Sequence, residues 1–193
     1  MDMDARRWRT ALSEAADCKD WIVESVAEGD TESKLISDIV EEVMFTCSSF
    51  PKAFETLPPF SKIPSNCWNY DAFLSFRGKD TGKTFTDHLN SALRHAGIST
   101  FLADDKLTRG ENISTGLNNA IRGSSVSIVV FSKGYASSKW CLDEIAEIMQ
   151  CMENRGHSFL PIFFNVSPSD VCNQTGAFAK AFARHKRSLR QKG

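Results

Sequence analysis

The apolar positions of this 193-residue chain change their period along its length, and each change marks a predicted element. Over residues 5–17, Trp8, Leu12, Ala15 and Ala16 recur at helical spacing, predicting a short amphipathic helix. Trp21-Ile22-Val23 is a brief apolar run predicted as a short strand, broken by Gly29-Asp30. From Glu32 to Phe45, the positions Leu35, Ile36, Ile39, Val40 and Val43 predict a second amphipathic helix, with Asp30 or Thr31 as its N-cap. Residues 46–68 carry Pro51, Pro58, Pro59 and Pro64 without a sustained period, and read as a linker.

Beyond the linker the pattern alternates regularly. Tyr70 to Phe76 predicts a strand, and Thr84 to His95 a helix presenting Phe85, Leu89, Ala92 and Leu93 on one face, with Gly97 placed to stop it. Ile98 to Leu102 predicts a second strand. A second helix, carrying Ile113, Leu117, Ala120 and Ile121, ends near Gly123. The run Val126 to Phe131 reads as a fully buried strand, followed by a helix with Leu142, Ile145, Met149 and Met152 at helical spacing. Phe159 to Phe164 predicts a fourth strand, and Pro161 within it argues for a place near the sheet edge. Gly176 to His185 predicts a last short helix with Phe178 and Phe182 inward. The basic residues after it, 186–193, read as a solvated helix end rather than a nucleic-acid patch. Strands alternating with helices imply a parallel sheet covered on both faces, joined by right-handed crossovers.

Composition narrows the class. The net charge of −1 gives no global basic field, which argues against nucleic acid as a partner. The six cysteines (Cys18, Cys47, Cys67, Cys141, Cys151 and Cys172) form no CxxC pair and no zinc-like spacing, so no metal is expected. The charged amino terminus lacks a signal-peptide core, and no apolar run approaches the ~18–20 residues of a membrane helix. These features predict a soluble intracellular protein in a reducing compartment.

All the polar, glycine-containing loops follow strands: residues 77–84, 103–112, 132–140 and 165–176. They therefore converge on one rim, where open α/β sheets bind ligands. Three chemistries compete for that rim. The segment 78–84, GKDTGKT, stands where a phosphate loop would, but has three residues between its glycines where four are needed. Asp104 as a magnesium-holding acid is equally consistent with a turn. Cys141 opens a helix, where a thiol is activated. No histidine stands in a comparable loop, however, because His88, His95, His157 and His185 fall in helices or helix-end segments. The third chemistry uses Glu144, four residues after Trp140 and so on the same face of the first helical turn. A carboxylate beside an aromatic plate suits a cationic, oxocarbenium-like sugar losing an aromatic base. On spacing alone, Trp140 as a helix-entry staple and Glu144 as a solvated residue remain open.

The segments YDAFLSFRGKDT, ISTFLADDKLTRGENI, AIRGSSVSIVVFSKGYASSKWCLDEI and LPIFFNVSPSDV resemble, in order, the motifs of plant-type TIR (Toll/interleukin-1 receptor) domains. The resemblance covers residues 69–185 and implies a flavodoxin-like α/β fold, a parallel sheet of order 2-1-3-4-5 with helices on both faces. It also implies an NAD(P)+ glycohydrolase of plant innate immunity, with NAD+ or NADP+ as substrate, no separate cofactor, and activation by homotypic self-association. By the same resemblance Glu144 is catalytic, Trp140 seats the nicotinamide, and Arg77, Gly78, Lys79, Asp80, Thr81, Gly82 and Gly110 hold the dinucleotide. Asp87 and His88 lie in the self-association surface. The implied setting is the cytoplasm, with the nucleus also open.

The chain departs from the family pattern at Gly82 and Cys172, where relatives carry Arg, and at Asp87, where Ser is frequent. The resemblance also stops after the fourth strand and one helix. The missing pieces resemble RRWRTAL, DWIVE and ESKLISDIVEEV of residues 6–45. Residues 1–45 are thus either the tail of a preceding TIR domain or a segment that folds back to supply the last strand and helix. The last strand of that order is an edge, so the second arrangement threads nothing. A non-catalytic adaptor or decoy acting by TIR–TIR binding is the alternative function.

Overall fold

The computed structural model describes residues 3–18, 21–23, 29–48, 68–81, 84–103, 112–155 and 157–190. In chain order the elements are α1 (Met3–Ala16), β1 (Trp21–Val23), α2 (Gly29–Ser48), β2 (Tyr70–Phe76), α3 (Phe85–His95), β3 (Thr100–Ala103) and α4 (Asn112–Arg122). They continue with β4 (Ser124–Phe131), a 3-10 turn (Tyr135–Ser137), α5 (Lys139–Arg155), β5 (Ser158–Phe164), α6 (Pro168–Cys172) and α7 (Gly176–Arg190). The strands form one sheet of order β1-β5-β4-β2-β3, and every pairing is parallel.

Read from the other edge, this is the predicted 2-1-3-4-5 arrangement, with the fifth place taken by the amino-terminal strand. Trp21, Ile22 and Val23 pair with Ile162, Phe163 and Phe164. The segment folds back and covers an edge that would otherwise present unpaired backbone groups. β5 is therefore second from the edge, and Pro161 lies one residue before the part of β5 that pairs with β1. Proline cannot donate a backbone hydrogen bond. The β1 register begins at the next residue, Ile162, while Pro161 itself stands opposite Val129 of β4.

Strand alternation divides the core in two. On one face Phe73, Val129, Phe131 and Phe163 pack with Trp8 and Leu12 of α1, Ile145 and Met149 of α5, and Phe178 of α7. On the other, Leu74, Phe76, Ile128, Val130 and Ile162 pack with Ile39 and Val43 of α2 and Leu89 and Leu93 of α3. A sheet buried on both faces explains why β4 reads as a continuous apolar run; all eight of its residues are buried.

Several boundaries differ from the sequence reading. α2 begins at Gly29, so the expected caps Asp30 and Thr31 lie inside its first turn, and it runs on to Ser48 into the expected linker. The rest of that linker, 49–67, lies outside the described residues. α6 was not predicted; Ser167 caps it by accepting from the Ser169 N–H, with Pro168 next in line, a start signal hidden by the helix's brevity. α7 extends through the basic residues to Arg190 because nothing in 186–190 breaks a helix. Gly97 stops α3 as expected, with φ at +83°. Among the described residues no helix is long and apolar enough to cross a membrane.

α1 grips α5 through Trp8. Its indole is 2% exposed, donates to Asp143 Oδ1 at 2.8 Å and packs against the Phe182 and His185 rings. Trp8→Ala is expected to destabilise the fold by about 3–5 kcal/mol, the usual cost of a large aromatic truncated in a core. Urea denaturation checks this; a loss under about 1 kcal/mol would mean that α1 is not docked.

His157 immediately precedes β5 rather than ending a helix. It is buried, with Nε2 2.7 Å from Ser127 Oγ and its ring edge-on to Trp68. Burial lowers its pKa from 6.5 to about 4. As pH falls the unfolded chain binds a proton before the folded one does. Stability is therefore fully present above about 6.5 and declines toward pH 4, by on the order of 3 kcal/mol. His157→Gln should flatten this part of the acid limb when denaturation midpoints are compared across that range. An identical decline in both proteins would contradict it.

Candidate active site

All strands being parallel, the carboxyl ends of β2, β3, β4 and β5 lie on one rim. α5 brings Glu144 to that rim. Ser138 stands just ahead of the helix, its Oγ 3.4 Å from the Cys141 N–H and its carbonyl accepting from the Leu142 N–H. Trp140 is half-buried on the first turn, and Glu144 follows one turn later.

Glu144 is only 6% exposed, which excludes the solvated-surface reading. Its Oε2 accepts from Ser75 Oγ at 2.5 Å. Ser75 lies two residues after Phe73 on the same face of β2, so its hydroxyl points to the sheet face that α5 covers. The same Oγ lies 2.8 Å from the Tyr135 hydroxyl, which donates to the Cys141 carbonyl at 3.0 Å. Ser75 and Tyr135 are fully buried, and burial raises the Tyr135 phenol well above its ordinary pKa, reinforced by Cys141 and Glu144. The Tyr135 ring packs edge-on against Phe131 at 4.9 Å.

A second cluster lies beside it, where the 77–81 loop meets the 132–134 loop. Asp80 ties the two together. Its Oδ1 is 3.4 Å from Arg77 Nη1, and its Oδ2 accepts from Ser132 Oγ at 2.6 Å and from the Gly134 N–H at 3.0 Å. A Cβ at Gly134 would stand 2.0 Å from Arg77 Nη1 and 2.4 Å from Asp80 Oδ2, so any larger residue would displace both side chains. Thr81, fully buried, fixes the far side of the loop through Thr86 Oγ1 at 2.9 Å on α3. Gly78 is buried and Lys79 exposed. Arg77 is thus a cation held near the rim, with its Nε buried and without a hydrogen-bond partner among the described residues.

Glu144, Trp140 and the Arg77–Thr81 loop therefore all belong to the rim. Gly82, Gly110 and Asp104 lie outside the described residues. Asp87 and His88 are exposed on α3, on the other face of the sheet from α5, and His88 Nδ1 is 2.8 Å from Glu32 Oε1 of α2. Cys141 is packed, 1% exposed, with Sγ 3.7 Å from the Phe76 carbonyl. Among the described residues no His, Cys, Asp and Glu cluster suited to a metal ion occurs. Sequence reasoning missed Ser75, Tyr135, Ser132 and Gly134. The signal for Ser75 was present: a hydroxyl at a core position of an apolar strand must find a partner.

The fold and rim define a flavodoxin-like α/β domain with a buried carboxylate at the carboxyl ends of its strands. The TIR domain family model matches residues 69–193, and the chain belongs to that family. It is 48% identical over 149 residues to the disease resistance protein RPV1 of Vitis rotundifolia, covering 77% of this chain and 10% of that protein. It is 49% identical over 126 residues to the TMV resistance protein N of Nicotiana glutinosa, covering 65% and 11%. The chain thus spans about a tenth of the length of these relatives. Among solved structures it is similar to the TIR domains of the activated Roq1 resistosome that directly recognises the pathogen effector XopQ. There the TM-score is 0.59 at 46% identity, over 64% of this chain and 75% of that one.

Gly134→Ala is expected to part Arg77 from Asp80 and loosen both loops. Amide exchange at Asp80, Thr81 and Gly134 should quicken by about tenfold or more, with the core strands unchanged. Unaltered exchange in these loops would show that the close approach at Gly134 does not hold them.

Proposed function

We propose that this domain is an NAD+ glycohydrolase, cleaving the nicotinamide–ribosyl bond in plant immune signalling, and that self-association activates it. The observation that carries the reading is Glu144: a carboxylate 6% exposed, oriented by Ser75, one turn from Trp140 on a strand-end rim. In NAD+ the leaving nicotinamide is already cationic at its ring nitrogen. Cleavage of the C1′–N bond returns that electron pair to the ring, so nicotinamide leaves neutral without a general acid. Positive charge moves to the ribosyl C1′ and ring oxygen. Glu144 stabilises that cation, and its low-dielectric surroundings strengthen the effect. Water adds at C1′ and loses a proton, giving ADP-ribose. Trp140 offers a face for the nicotinamide ring. Arg77, held by Asp80, offers a cation for the pyrophosphate.

Immune signalling is supported by the names of the relatives, which are plant disease resistance proteins. Self-association is supported by the likeness to the TIR domains of a resistosome and by the exposed Asp87 and His88. β1 adds the edge strand of the sheet from the amino-terminal side, with α1 packed on α5 and α2 on α3. We read them as the equivalent of the family's closing helix–strand–helix. The same exposed α3 surface also favours the second reading, a non-catalytic adaptor or decoy that binds other TIR domains.

Incubating the concentrated protein with NAD+ should give nicotinamide, and Glu144→Ala should lower the rate by about 100-fold or more. Turnover that survives the substitution would remove Glu144 from the chemistry. Concentration-dependent association without turnover in either protein would establish the adaptor reading.

A further inference from the structure

Three oxygen-to-oxygen contacts run in series behind Glu144. They join Glu144 Oε2 to Ser75 Oγ at 2.5 Å, Ser75 Oγ to Tyr135 OH at 2.8 Å, and Tyr135 OH to the Cys141 carbonyl at 3.0 Å. A hydrogen bond needs one proton between its two oxygens, so three contacts need three protons. The two hydroxyls supply two, and the carbonyl supplies none. With Glu144 ionised, Ser75 donates to Glu144 and Tyr135 donates to Cys141, which leaves the Ser75–Tyr135 contact without a proton. That leaves two buried oxygens facing each other's lone pairs, at a cost that rises in a low-dielectric interior.

One added proton resolves the chain. We propose that Glu144 carries that proton in the ligand-free protein, completing a run of bonds from Glu144 through Ser75 and Tyr135 to the Cys141 carbonyl, and releases it when a cationic ligand docks. On release the carboxyl proton passes to solvent and Ser75 turns its own proton toward the carboxylate. Ser75 and Tyr135 are positioning residues that act on the charge state of Glu144 through these contacts. Burial of Glu144 acts in the same direction, because it disfavours the charged form.

Among the described residues, the elements around Glu144 carry the following titratable and charged groups. The turn contributes Tyr135, whose phenol burial keeps protonated. α5 contributes the buried Cys141, Asp143 held by Trp8, and Glu147, which is paired with Arg122 at 2.7 Å and Arg7 at 3.7 Å. The end of β2 leads to Arg77, paired with Asp80, and α7 contributes His185, whose Nε2 is 2.9 Å from the Ala136 carbonyl.

The release half rests on the reading of the site as one for the nicotinamide end of NAD+; the proton count does not. The test is carbon-13 NMR of glutamate side-chain carboxyls in the whole chain, with the Glu144 resonance assigned by its loss in Glu144→Gln. In the ligand-free protein it should titrate more than about one pH unit above the ordinary ~4.3 of a glutamate. Tyr135→Phe removes one oxygen, its proton and two of the three contacts, so the one remaining contact is served by the Ser75 proton with Glu144 ionised, and the midpoint should fall by about one unit or more. Ser75→Ala removes the donor to the carboxylate, so the midpoint should stay high. The non-hydrolysable cation 1-methylnicotinamide should lower the wild-type midpoint. An ordinary midpoint in the wild type, or no fall in Tyr135→Phe with backbone spectra intact, overturns the proton assignment. A midpoint indifferent to 1-methylnicotinamide overturns the release step. Absent NAD+ turnover beside the expected titrations would instead overturn the glycohydrolase reading alone.

Discussion

The hydrogen bond between Ser75 and Glu144 is the contact on which the rim depends. It joins the end of a central strand to the first turns of α5, and it does so inside the protein, where a misplaced carboxylate would find no water to compensate it. Because Ser75 shares its strand face with Phe73, the apolar packing that seats β2 against α5 also fixes the direction of the hydroxyl. Chemistry and core are therefore one arrangement. A shift of β2 by one residue would turn Ser75 to the opposite face and leave Glu144 buried without this partner.

The amino-terminal segment enters the same arrangement from behind. α1 holds α5 through Trp8 on Asp143, the residue next to Glu144, through Arg7 on Glu147, and through Asp4, 3.8 Å from Lys139. The last two pairs are partly exposed and add little stability. The indole and its apolar neighbours carry most of the docking, since burial scales with area removed from water. The strand that closes the sheet and the helix that backs α5 both come from before the first central strand, so edge protection and support of the rim come from one segment.

Much of this was legible in the sequence because parallel strands buried on both faces leave continuous apolar runs, and β2, β4 and β5 could be placed from those runs. The Trp140–Glu144 spacing on one helix face was equally readable. What escaped were contacts between distant parts of the chain. Tyr135 looked like a loop residue, yet it is fully buried because Phe131 and Ser75 give both its ring and its hydroxyl a partner. Gly134 was only one residue of a polar loop in the sequence, whereas the space around it is set by Arg77 and Asp80, over fifty residues earlier. The α2 boundary was misplaced because Gly29 signals a break by propensity, while burial of Ile36, Ile39 and Val43 favours a longer helix.

The central claim is that a buried carboxylate and its aromatic neighbour receive the nicotinamide riboside end of NAD+. The most direct measurement is a crystal structure with a non-hydrolysable NAD+ analogue bound. The expected result places the nicotinamide ring against Trp140, the adjoining ribose within hydrogen-bonding distance of Glu144, and the pyrophosphate toward Arg77. An analogue bound away from this rim, or bound there with its ribose out of reach of Glu144, would contradict it.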